Sequence, residues 1–364
     1  MPDNRHCFSR ANRRRGRLVA RQLIALAAVA LAIVAAVWWR GRQAARPEVA
    51  IGLNAWPGYL PFFVAQEKGY FREQGVSLKL VMYTNFNELS RDYVAGKLQA
   101  RGNLTFDAVQ EALQGLGHKA VLVIDYSRGA DAIVARLGLH DISALSGQRV
   151  GYEPGTMEEF FLAFALSEHG ASLHDVISVL TTSEHVLALL RDKQIDAAVI
   201  HEPFLTSALK EGIAHTIYST RAAPGLIADI LTFRDDAITA HPNWVKAILR
   251  AYFQGLAFWK QQPKEAQRIA AKACGATPEE IAAQLLTISF LDERDNDTAL
   301  TFSTSLDLKG TSLSLYGNLR QVGEFVLSHQ SGPRRELDTD RLIDRRFIRA
   351  VMSDASLHSR RGMP

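Results

Sequence analysis

The chain has 364 residues, 47% of them hydrophobic, which is enough for two domains with a sizeable core. Its net charge of +4 conceals two unlike parts: residues 1–46 hold ten arginines against one acid, Asp3, leaving 32 basic and 37 acidic residues, or −5, for the rest. Nothing in that balance points to nucleic acid, and two cysteines on either side of an apolar run, Cys7 and Cys274, exclude an intrachain disulfide within one compartment.

The first predicted element is a membrane segment. Seventeen uninterrupted apolar residues run from Leu23 to Trp39, preceded by Leu18–Ala20 and one Arg/Gln pair. About 20 such residues cross a hydrocarbon core of roughly 30 Å. Seven arginines lie at or before its start and three follow, so the N-terminus is expected in the cytoplasm. Trp38 and Trp39 stand where an interfacial aromatic belt would. A cleaved signal peptide is the alternative. Its apolar core is usually shorter, no clean small-x-small site follows this run, and no cysteine follows to accept a lipid. The reading is an uncleaved single-pass anchor of the cytoplasmic membrane, with the bulk of the chain extracytoplasmic.

Beyond the tether GRQAARPE, β-like runs alternate with helical patterns. The strands are EVAIGLN, VSLKLVM, AVLVIDY, ADAIVAR, QRVGYE, DVISVL, IDAAVI and LIADILTF. Between them NELSRDYVAGK, FDAVQEALQGLG, MEEFFLAFALSEHG and EHVLALLRDK carry helical periodicity. This alternation predicts an α/β protein with largely parallel sheets. From Pro242 onward the pattern is helical, and TPEEIAAQLLTI opens on a Thr cap with Pro in its first turn. RDYVAGKLQA and LLRDKQIDAAVI each end a helix, turn and enter a strand, which suggests two lobes of similar build. The last segment, 331–364, reads as a polar tail in which RLIDRRFIRAV can dock as a final helix and the last residues fray.

The stretch WPGYLPFFVAQEKGYF, residues 56–71, holds six aromatic rings and two prolines. Pro61 and Gly69 bound a helix, with Gly69 as its left-handed C-cap. Phe62, Phe63, Tyr70 and Phe71 are then core. Trp56 and Tyr59 flank Pro57-Gly58 in the loop leaving a strand, and such loops line the ligand crevice of open α/β sheets.

Three segments carry a resemblance. AWPGYLPFFVAQEKGYFREQGVSLKLV resembles the opening of the periplasmic substrate-binding proteins of ABC importers for nitrate, sulfonates, taurine and thiamine-pyrimidine precursors. GTMEEFFLAFALSEHGASLHDVISVL and IDAAVIHEPF resemble segments of that family's second lobe. The likeness spans roughly residues 48–330. Two positions depart from its pattern: Gln99 stands where an Asp often precedes Ala, and Lys193-Gln194 where a Gly is frequent. The resemblance implies the two-lobed type II periplasmic-binding fold, with an N-terminal transmembrane helix and a helical C-terminal region added here. The expected boundaries are 1–46 for tail, anchor and tether, 47–131 plus 229–330 for lobe one, 132–228 for lobe two, and 331–364 for the polar tail. The chain should cross near Asp131 and return near Ala228.

Strand-end loops supply the remaining candidate ligand contacts. Asn85 and Asn87 follow VSLKLVM, Thr105 and Asp107 open a helix, and Asp125 and Ser127 follow AVLVI. Thr156 opens the FFLAF helix, and Glu202 ends IDAAVIH, where the resemblance favours the pocket over an exposed turn. Thr105, Asp107 and Thr156 also suit helix capping, which satisfies orphan N–H groups and is compatible with ligand contact. HEPF lacks the second His of a zinc helix, and no GxSxG, GxGxxG or P-loop occurs. His169 and His174 lie in a polar loop and are not read as metal ligands. No metal and no cofactor are expected. Eukaryotic thiamine-pyrimidine synthases resemble these binders but carry a cysteine-rich motif, which this chain lacks.

The expectation is therefore a non-enzymatic, monomeric solute-binding protein whose partners are a small-molecule solute, an ABC permease with its ATPase, and the membrane through the N-terminal helix. The same flytrap serving as a ligand sensor for a membrane signalling partner is the runner-up, and a synthase-like enzyme comes third. Asp107, Asp125 and Glu202, with Arg128 the one cation placed near them, favour an amine-bearing or nitrogen-heterocyclic ligand over nitrate or simple sulfonates.

Overall fold

A computed structural model describes residues 48–308, 310–329 and 336–361. The predicted anchor, Leu23–Trp39, and its tether lie outside the described residues. Among the described residues, no helix is long and apolar enough to cross a membrane.

The strands in chain order are β1 (Val49–Leu53), β2 (Leu78–Met82), β3 (Ala100–Leu104), β4 (His118–Ser127), β5 (Asp131–Ala135), β6 (Arg149–Tyr152), β7 (Ile177–Leu180), β8 (Ala197–His201), β9 (His215–Ser219), β10 (Ala228–Arg234), β11 (Ile288–Phe290), β12 (Ser305–Leu308) and β13 (Thr311–Leu313). One sheet has the order β11-β4-β10-β3-β1-β2 and the other β7-β6-β8-β5-β9, while β12 and β13 pair as a hairpin. Each lobe is built on one of the two large sheets. The α/β two-lobed fold expected from the sequence is present.

The sheets are mixed, which corrects the expectation of largely parallel ones. β2, β1 and β3 are parallel, as are β7, β6 and β8. A strand delivered from the opposite lobe then enters each sheet antiparallel: β10 beside β3 in the first, β5 beside β8 in the second. A chain that leaves one lobe and returns brings its strand in from the far end, so the direction reverses.

The suspected repeat is real at the level of single hydrogen bonds. In the first lobe the Gln99 side-chain oxygen accepts from the Ala50 N–H at 2.9 Å, and the Gln99 N–H donates to the Ala50 carbonyl at 3.0 Å. In the second, an Asp196 carboxylate oxygen accepts from the Arg149 N–H at 3.0 Å, and the Asp196 N–H donates to the Arg149 carbonyl at 2.8 Å. Gln99 thus makes through an amide oxygen the bond that Asp196 makes through a carboxylate. Lys193 takes φ 56°, and Gly96, its counterpart, takes φ 79°. The turn that favours glycine is kept with a lysine in it, at a cost of about 1–2 kcal/mol.

Phe62, Phe63 and Phe71 are buried as expected, while Tyr70 is partly buried against the same core. Gly69 caps the helix Leu60–Lys68 with φ 78°. This helix packs on Pro242–Gln261 so closely that a Cβ at Gly255 would lie 2.2 Å from the Pro61 carbonyl oxygen. The C-terminal segment is less of a tail than its composition suggests. Ile343 bridges to Ala120, and Phe347, Ile348 and Val351 on the helix Arg346–Arg361 are buried in the core cluster. Three apolar residues at helical spacing outweigh the arginines around them, which snorkel to the surface.

Candidate functional site

The site is assembled where the two crossings meet the front of the first sheet. β4 ends at Ser127 and β5 begins at Asp131, while β9 ends at Ser219 and β10 begins at Ala228. Thr220 staples these two connections. Its hydroxyl lies 2.8 Å from the Ser127 hydroxyl and accepts from the Gly129 N–H at 2.7 Å. The Asp131 N–H in turn donates to the Ser127 hydroxyl at 3.2 Å. The Ser127 hydroxyl, a candidate ligand contact, is thus bonded to both connections.

Trp56 and Tyr59 follow β1 in a short 3-10 turn and are nearly sealed, at 7% and 2% exposure. Each ring carries a polar tip, and a buried tip needs a partner. The Trp56 indole N–H donates to Asp125 at 3.1 Å, and the Tyr59 hydroxyl donates to Asp229 at 3.1 Å. Asp125 and Asp229 face each other across one rung of the β4–β10 ladder. Two glycines make room for this arrangement. A Cβ at Gly58 would lie 1.9 Å from an Asp125 oxygen, and one at Gly102 would lie 2.5 Å from the Tyr59 ring. The rings therefore orient two carboxylates rather than standing open as stacking platforms.

Three further acids join them. Asp131 opens β5 opposite His201 at the end of β8. Glu202 follows, and Glu158 stands in the first turn of the helix Met157–Glu168. The Asp131 carboxylate repels Asp125, Asp229, Glu158 and Glu202, while His201 offers a favourable partner to Asp131, Glu158 and Glu202. Burial is the leading cause that disfavours charge on all five. It pushes Asp125 up to about 8, against the Trp56 hydrogen bond and with the repulsion of Asp131. Asp229 is raised well above the usual carboxylate range, by burial first and then by Asp125 and Asp131. One Asp125 oxygen and one Asp131 oxygen are buried with no hydrogen-bond partner.

The sequence reading missed the main cation here. Arg101 on β3 is fully buried beside Tyr59, so Arg128 is not the sole cation near the site. Arg101 is already spoken for: its guanidinium donates to Glu111 at 2.5 Å and to Asp107 at 3.1 Å. Glu111 also accepts from the Asn103 amide at 2.9 Å and the Ser90 hydroxyl at 2.8 Å. Asp107 is thereby an ion-pair partner and not an open acceptor.

The remaining candidates divide. Asn85 is exposed and caps the helix Phe86–Val94 by accepting from the Glu88 N–H at 3.0 Å. Thr156 caps its helix in the same way, accepting from the Glu158 N–H at 3.2 Å. Thr105, the first residue of the helix Thr105–Leu113 that follows β3, is buried with its hydroxyl unpartnered. Glu202 is buried and accepts from the Thr206 N–H at 3.1 Å. The lobes touch across this region: the Gln110 amide donates to the Gly155 carbonyl at 2.9 Å, and Phe86 meets His201 edge-on with centroids 6.4 Å apart.

Solved structures share the architecture at low identity. An aliphatic sulphonate binding protein, SsuA, from Escherichia coli is 15% identical, with a TM-score of 0.61 over 67% of this chain and 85% of that one. A zinc-bound ligand-binding component of an ABC-type import system from Staphylococcus aureus is 14% identical, with a TM-score of 0.65 over 84% and 98%. The periplasmic nitrate-binding protein NrtA from Synechocystis is 14% identical, with a TM-score of 0.54 over 64% and 68%. No curated protein matches the chain in sequence. Residues 42–275 match the sequence profile of the NMT1-like family, and the chain belongs to that family.

Proposed function

We propose that the protein is a membrane-anchored, extracytoplasmic solute-binding protein that delivers an amine-bearing or nitrogen-heterocyclic solute to an ABC permease. The family and the two-lobed fold support the binding role. The observation that carries the ligand class is the group of acids at the lobe junction, of which Asp125, Asp229 and Glu202 are buried, with buried unpartnered oxygens on Asp125 and Asp131. A buried carboxylate without a partner is costly, and a ligand N–H or positive charge removes that cost. An oxyanion would raise it. Arg101, the one buried guanidinium among the described residues, is neutralised by Asp107 and Glu111 and has no charge to offer nitrate or a sulfonate.

Binding without covalent chemistry is the natural use of such a site. Cys274 lies at the end of the helix Pro263–Cys274 with its thiol pushed up to about 12 by burial, so it is a poor nucleophile. Calorimetric titration with an alkylamine, an aminopyrimidine, nitrate and an alkanesulfonate tests the ligand class. The amine or the pyrimidine should bind, and tight binding of either oxyanion alone would overturn the reading. The anchor rests on the Leu23–Trp39 run. The mature protein should fractionate with membranes, whereas a soluble mature form beginning near Pro47 would contradict it.

A further inference from the structure

The helix Leu315–His329 reaches from the return crossing to the contact between the lobes, and the binding site makes no use of it. We propose that this helix is a latch: tied at its base to the crossing, it sets Phe325 against one ring from each lobe and so governs how readily the lobes part, whatever the solute.

The base is fixed by a buried amide. Asn318 is fully buried, and its amide donates to the Gly225 carbonyl at 3.1 Å and to the Leu226 carbonyl at 2.5 Å. Both carbonyls belong to the connection from β9 to β10. The β12–β13 hairpin, just before the helix, packs on the same connection. A Cβ at Gly225, where φ is 88°, would lie 2.4 Å from the Thr311 methyl and 3.0 Å from the Leu313 carbonyl oxygen. Seven residues, close to two turns, separate Asn318 from Phe325, so the two share a face about 10 Å apart along the axis. Leu315, Leu319, Val322 and Val326 are buried beside that face.

The tip meets both lobes. Phe106 stands in the first turn of the first lobe's helix Thr105–Leu113, and Phe160 near the start of the second lobe's helix Met157–Glu168. They are 1% and 5% exposed, with ring centroids 6.4 Å apart. Phe325 lies 5.1 Å from Phe160, steeply inclined at 70°, and 6.3 Å from Phe106. Rings attract one another at such distances and angles. His329, one turn further on, backs Phe325 at 4.2 Å. Because the helix is held on the first-lobe side, opening must draw Phe160 away from two rings and return their apolar area to water. Exposed polar contacts across the lobes resist opening less. The Gln110–Gly155 bond is exposed, and Lys210, 74% exposed, pairs with Glu280 at 3.7 Å, an ion pair of the kind that contributes little.

Double electron–electron resonance tests the latch on the full chain, with its native cysteines replaced by Ala and spin labels at Lys79→Cys in the first lobe and Asp192→Cys in the second. The parent should populate the arrangement in which the lobes touch. In Phe325→Ala the ratio of parted to touching lobes should rise about 10-fold, the factor that one aromatic pair supplies. Phe302→Ala removes an exposed ring that meets Tyr316 on the same helix, and should leave the distances as in the parent. If Phe325→Ala folds poorly, Phe160→Leu removes the facing ring while keeping apolar bulk, and should give the same shift. Unchanged distances in the folded variant, or an equal shift from Phe302→Ala, would overturn the latch. No solute enters the measurement, so neither result bears on the ligand class.

Discussion

Replacing Asp125 by Asn should flatten the dependence of stability on pH and make the protein more stable than the parent near pH 8. The ordinary carboxylate value is 3.8, and burial pushes this group up to about 8 in the folded chain. Between those values the folded protein holds a proton that the unfolded chain has released. Folding stability from this group is therefore fully present below about pH 4 and is lost as pH rises toward about 8. The slope from one such group is up to about 1.4 kcal/mol per pH unit. Asn keeps an oxygen to accept from the Trp56 indole and has nothing to ionise. Urea unfolding at several pH values should show a shallower slope for Asp125→Asn. An unchanged slope would mean that Asp125 is already ionised and otherwise compensated. The same substitution should weaken amine binding, the trade between stability and activity common where a site stores destabilising charge.

Arg101→Met should be among the most damaging single changes in the first lobe. Arg101 is fully buried and holds Glu111 and Asp107 together. Removing it strands two carboxylates at or near the core, a loss of about 3–5 kcal/mol for a broken buried pair. Adding Glu111→Gln should recover a good part of that loss, because the amide remains able to hydrogen-bond Asn103 and Ser90 without carrying charge. The denaturation midpoint is the readout. A drop worth less than about 1 kcal/mol would show that water or a rearranged side chain replaces the guanidinium.

The boundary between what sequence conveyed and what it withheld follows a physical line. Local signals were legible: the Gly69 cap, the Thr156 cap, the apolar helix face of Phe62 and Phe63, and the crossings near Asp131 and Ala228. Each depends on residues within a few positions of one another. The RDYVAGKLQA joint points to a strand after it, but ARGNL, the sequence of β3, does not read as one because Arg101, Gly102 and Asn103 break the apolar pattern. Those residues are tolerated inside the lobe because Glu111 and Asp107 neutralise Arg101, and Thr232 and Glu111 satisfy Asn103.

The site shows the same division. Trp56, Tyr59, Asp125 and Glu202 were singled out at strand ends, and the structure brings Trp56 and Asp125 into one hydrogen bond. Asp229 was passed over although it sits inside LIADILTF, where a lone acid among apolar residues of a strand is itself a signal. Its role depends on Tyr59, 170 positions away, and on register with Asp125, neither of which periodicity encodes. Ser127 and Asp107 were plausible by position, and their partners Thr220 and Arg101 come from contacts that only folding reveals.

The account turns on the cleft being a site of uncompensated carboxylates that a cation completes. Proton balance measures this most directly. Titrating the full chain near neutral pH with an alkylamine, in buffers of different ionisation enthalpy, reports how many protons leave or enter on binding. A cation beside Asp125, Asp131 and Asp229 lowers their proton affinity, so binding should release protons, and Asp125→Asn should reduce the number released. Tight binding of nitrate or an alkanesulfonate with net proton uptake would mean that the acids are protonated to accept an anion, and would contradict the account.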